Sequence, residues 1–74
     1  MRFLALLTRR AAGFSVVLRD LDTEEEWVDY VDTLNPKEAV INMARACSCM
    51  ASVEVEQMSD PVGRKILAIG SVGL

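Results

Sequence analysis

Seven of the chain's eleven acidic residues fall between Asp20 and Asp32, and no Lys or Arg interrupts them. Asp20, Asp22, Glu24, Glu25, Glu26, Asp29 and Asp32 are interleaved with Trp27, Val28, Tyr30 and Val31. Like charges set this close repel, so the segment has to run along an open surface or against a basic partner. The opening nineteen residues hold four arginines and no acid, and residues 33–74 are balanced, which leaves a net charge of −3.

The second constraint is size. Seventy-four residues make room for one domain, here taken as residues 1–74. A chain this short buries only about 60% of the surface its unfolded form exposes. Yet 51% of its residues are hydrophobic before glycine is counted, against a usual share of about 45–50% with glycine included. So small a body cannot hide them all. The excess points to a homo-oligomer or another protein partner.

Membrane insertion accounts for the excess less well. No run approaches the roughly 20 apolar residues of a spanning helix. Phe3–Leu7 is also too short for a signal-peptide core of about 7–15 residues, and Arg9 and Arg10 follow at once. Two cysteines, Cys47 and Cys49, provide no disulfide framework and suit a reducing compartment. A cytoplasmic location is expected.

Two capping patterns open helices. Thr23-Glu24-Glu25-Glu26 fits a capping box, in which the threonine hydroxyl and the third glutamate each satisfy a backbone N–H. Asn35-Pro36-Lys37-Glu38 repeats it with proline at the first helical position. Helices are expected at about 24–34 and 36–50. In the first, Trp27, Tyr30, Val31 and Leu34 recur at helical spacing and should pack inward, with Glu25, Asp29 and Asp32 opposite and Glu26 at the edge. In the second, Ala39, Val40, Met43, Ala44, Cys47, Met50 and Ala51 make a broad apolar girth, with a narrow polar line at Glu38, Asn42, Arg45 and Cys49.

The remainder reads as strands. Ser52–Glu56 alternates cleanly, Ser59–Gly63 is turn chemistry, and Lys65–Val72 suits a returning strand. Phe14–Arg19 is another strand. Arg2–Thr8 has the Leu and Ala of a helix, but its place before the Arg9–Gly13 turn favours a hairpin. The expected fold is α+β, ordered ββααββ, with a small antiparallel sheet covered on one face by a helical pair. Leu4, Leu6, Val17 and Leu67 then supply apolar side chains to both sides of the sheet. Sheet-to-sheet or edge-to-edge dimerisation would cover them.

Few residues offer chemistry. Histidine is absent, and with it the commonest general base and zinc ligand. Cys47 and Cys49, two apart on a helix, diverge too much for a disulfide or a shared metal. A convex acidic helix lacks the concave, desolvated setting of a carboxylate catalyst and the loop of a calcium site. No catalytic residue, metal or cofactor is assigned. A net acidic, aromatic-poor chain is also a poor nucleic-acid binder, because phosphate contacts dominate that affinity.

The sequence therefore favours a non-enzymatic interaction or regulatory protein, homodimeric, docking a basic partner through Glu25, Glu26, Asp29 and Asp32. Two alternatives remain. One is a small enzyme or ligand-binding subunit with Tyr30, Asn42 and Arg45 converging between protomers. The other is an assembly subunit that joins its basic and acidic blocks head to tail.

Overall fold

The computed structural model describes residues 1–48, 52–59 and 65–73. Among these residues five strands and one helix follow in the order β1 (Arg2–Arg9), β2 (Phe14–Asp20), β3 (Glu26–Val31), α1 (Pro36–Ser48), β4 (Ser52–Ser59) and β5 (Lys65–Gly73). All five strands join one antiparallel sheet, in spatial order β3-β2-β1-β5-β4. The expected helical pair is thus corrected to a single helix, and ββααββ to βββαββ. Both expected hairpins form: β1 pairs β2, and β4 pairs β5.

The correction falls on residues 24–34. Four of the six residues of Glu26–Val31 are aromatic or β-branched, the types that fit a pleated sheet best. The helical spacing of Trp27 and Val31 is equally an even spacing of four, which also places both on one face of a strand. Thr23 completes no capping box; its hydroxyl accepts the N–H of Glu25 at 3.3 Å. The turn is organised by Asp20, whose Oδ1 accepts the N–H groups of Asp22 at 2.8 Å and Thr23 at 3.3 Å. Glu24 then takes a left-handed conformation (φ 64°), which reverses the chain into β3. Leu34, expected inside, is 75% exposed.

The second capping signal works in its Asn35 half, while the Asn35 N–H donates to Thr33 Oγ1 at 3.3 Å and not to Glu38. Asn35 Oδ1 accepts the N–H of Lys37 at 3.0 Å and of Glu38 at 3.3 Å, which starts α1 at Pro36. The helix has to carry the chain from β3 at one sheet edge to β4 at the other, so it crosses one face and covers only that one. Ala39, Val40, Met43 and Ala44 are buried on its inner side. Beneath them lie Phe3, Ala5 and Leu7 of β1, Phe14, Val16 and Leu18 of β2, and Ile66, Ala68 and Val72 of β5. Among the described residues this core holds no polar or charged side chain. Met50, Ala51, Cys49 and the Asp60–Gly63 turn lie outside the described residues.

Candidate functional site

Alternation along each strand sends every second residue to the side that α1 does not cover. The strand register brings those residues into rows. Val28, Val17, Leu6 and Leu67 stand side by side across β3, β2, β1 and β5. One step along, Glu26, Arg19, Leu4 and Ile69 form the next row. Tyr30, Ser15, Thr8 and Lys65 follow on the other side. A row of four aliphatic side chains therefore crosses the middle of the uncovered face.

These side chains are only partly shielded by one another. Leu4, Leu6, Val17 and Ile69 are half-buried, while Val28 is 70% exposed and Tyr30 47%. Leu4, Leu6, Val17 and Leu67, with Arg19 and Glu26, line a shallow groove of about 230 Å³. Charge sits beside it as internal pairs. Arg19 Nε donates to Glu26 Oε2 at 2.8 Å, joined by Nη2, and Arg2 approaches Glu56 at 3.6 Å.

The two sheet edges differ from this open face, because each carries a device that hinders further strand pairing. On β3, the Asp20 N–H donates to Glu25 O at 2.9 Å. Antiparallel ladder bonds alternate along the pair, so the N–H groups of Glu26, Val28 and Tyr30 point outward. Asp29 folds back on that edge: its Oδ1 accepts the Tyr30 N–H at 2.8 Å. On β4, a register shift between Val55 and Gln57 bulges the strand at Glu56.

The carboxylates expected to share one docking face are dispersed. Glu25 lies in the β2–β3 turn, Glu26 on the open face against Arg19, Asp29 on the α1 side of β3, and Asp32 in the link to α1. The helix meant to align them is a strand, and its alternation separates them. Within one chain Tyr30, Asn42 and Arg45 are apart, since Tyr30 is on the open face and the other two are on α1, the opposite layer. The basic block is likewise partly neutralised within the chain, through Arg19 and Arg2.

Among the described residues, two ionisable groups are shifted. Asp20 is held below the usual carboxylate range, chiefly by the Asp22 N–H. The Cys47 thiol is pushed up by burial and then by the negative charge of Asp29. Among the described residues no cluster of His, Cys, Asp or Glu could hold a metal ion, and no helix is long and apolar enough to cross a membrane.

Leu4, Leu6, Val17 and Leu67 were expected to serve both sides of the sheet, and the strand alternation places all four on the open one. Val28, Tyr30 and Ile69 were not assigned to it. For the first two, the signal was the density of β-formers in Glu26–Val31, which competed with a helical spacing. No protein-family model matches the chain, and comparisons with characterised proteins and with solved structures find no match.

Proposed function

We propose that this protein is a non-enzymatic interaction module whose contact surface is the open face of its sheet. The observation that carries the reading is the row Val28–Val17–Leu6–Leu67, with Val28 70% exposed at its end. An apolar centre with a polar and charged surround is the anatomy of a protein–protein contact. Tyr30 adds a side chain of the type enriched among residues that dominate binding energy.

The interaction reading made from the sequence is kept, but its surface moves. Docking through Glu25, Glu26, Asp29 and Asp32 required them on one face, and Glu26 is already engaged by Arg19.

The test is a comparison of the tagged chain with Val28→Asp in capture from its native host. Val28 is exposed enough that the charge should leave the monomer's circular dichroism unchanged. The proposal expects the parent to retain a partner, a second copy included, that the variant loses. Equal retention by both would overturn it.

A further inference from the structure

We infer that the occupant of the open face is a second copy of this chain, packed sheet against sheet in a two-fold dimer. This rests on the reading of that face as the contact surface. The first argument comes from the strands themselves. An antiparallel strand with one face in water alternates apolar and polar residues, whereas strands buried on both faces read as continuous apolar runs. Edge strand β4 alternates, Ser52-Val53-Glu54-Val55-Glu56. The three central strands do not: β1 contains Phe3-Leu4-Ala5-Leu6-Leu7, β2 Val16-Val17-Leu18 and β5 Ile66-Leu67-Ala68-Ile69. Helix α1 covers one side of these runs, and the composition of the other side suits burial.

Charge selects the partner. In a two-fold dimer the same patch meets itself, so a patch of one sign repels its copy. The chain is acidic overall, yet its open face is not. Among the described residues there, Arg2, Arg19 and Lys65 stand against Glu26, Glu54 and Glu56, with Arg10 reaching in at the rim through Ser15. The acidic surplus lies instead in the β2–β3 turn, at Asp22, Glu24 and Glu25, and in the link at Asp32. Self-repulsion is kept off the face.

Area is sufficient. Five strands about 4.8 Å apart, carrying three to four rows of same-face residues, give a flat footprint of about 500–600 Å² per copy. The pair then covers about 1,000–1,200 Å², which reaches the threshold of about 1,000 Å² for a biological interface. The guarded edges at Asp29 and Glu56 disfavour the competing route of strand-to-strand extension. Two sheets packed face to face at about 10 Å separation, their rows interleaved, then form the centre of the dimer.

The experiment is sedimentation velocity on the full chain from about 1 to 100 μM, with Val28→Lys as the test variant and Leu34→Lys as control. Leu34 is as exposed as Val28 but lies in the β3–α1 link, off the sheet. The parent and Leu34→Lys should dimerise equally. Val28→Lys should weaken the dimer by about 100-fold or more, because two-fold symmetry brings the charge into the contact twice. Dimerisation of the parent should also change little between 50 and 500 mM salt, unlike docking of opposite charges.

A parent that stays monomeric at 100 μM overturns the inference, as does a Val28→Lys variant that dimerises like the parent. If the parent is monomeric but captures a host protein in a Val28-dependent way, only the second copy is excluded. If neither association depends on Val28, the contact surface itself is misassigned.

Discussion

The ring of Phe3 lies over Gly70, its cross-strand neighbour in β5, and occupies the space a side chain there would need. A Cβ on residue 70 would stand 2.6 Å from Phe3 Cζ and also collide with the carbonyl oxygen of Glu54 in β4. One of those neighbours is backbone, so the clash cannot be relieved by a rotamer change alone. The contact ties three strands together at the level of the core.

Gly70→Ala should therefore destabilise by about 1–3 kcal/mol, the usual range for overpacking. For a domain of this size that corresponds to a fall in Tm of about 4–8 °C per kcal/mol. Thermal unfolding followed by circular dichroism checks it. Phe3→Leu should remove the ring and couple non-additively with Gly70→Ala, since the two residues touch. Additive effects would mean that the ring is not what fills the space.

Asp20 gives a pH signature. Its carboxyl is held below its ordinary value, mainly by the Asp22 N–H and also by Thr23. A depressed carboxyl contributes stability that is present above its unfolded value of about 3.9 and is lost as pH falls through the folded value. Asp20→Asn keeps an oxygen acceptor for the turn but cannot titrate. The parent should be the more stable of the two at neutral pH, and the gap should close below about pH 4. A gap that stays constant from pH 7 to pH 2 would show that the charge plays no part.

Cys47 reports whether β3 lies beneath α1. Its thiol is raised first by burial and second by Asp29. At pH 8, iodoacetamide should alkylate Cys47 more slowly than an exposed thiol. Asp29→Asn should accelerate the reaction while leaving the burial contribution in place. Fragment-ion mass spectrometry distinguishes Cys47 from Cys49, which share one tryptic peptide. The raised thiol favours the folded state below its unfolded value of about 8.5, and that contribution is lost as pH rises through the raised folded value. No change on removing Asp29 would place β3 away from the helix.

How far the sequence could be read depended on whether one local signal stood alone or competed with another. Asn35-Pro36 had no rival: a side-chain acceptor followed by a residue already shaped for the first helical turn, and α1 begins there. Ser52–Glu56 was equally plain in its alternation. Glu26–Val31 carried two signals at once, since Trp27 and Val31 share a face in either a helix or a strand. What separated the readings was hydrogen bonding across to β2, a contact between segments that no local pattern displays. The candidate surface was half legible for the same reason. Leu4, Leu6, Val17 and Leu67 lie on strands whose type was correctly read, whereas Val28 and Tyr30 lie on the one that was not. The row they complete exists only once β3 is paired.

The dimer through the open face is tested most directly by placing p-benzoylphenylalanine at position 28 and irradiating the chain at micromolar concentration. Mass spectrometry then maps which residues of a second copy the photoprobe has joined. A covalent dimer is expected, with adducts on Leu4, Leu6, Val17 or Leu67, residues that share the uncovered side of the sheet with Val28. Adducts confined to α1 or to the outer edge of β4, or the absence of any dimer adduct, would contradict it.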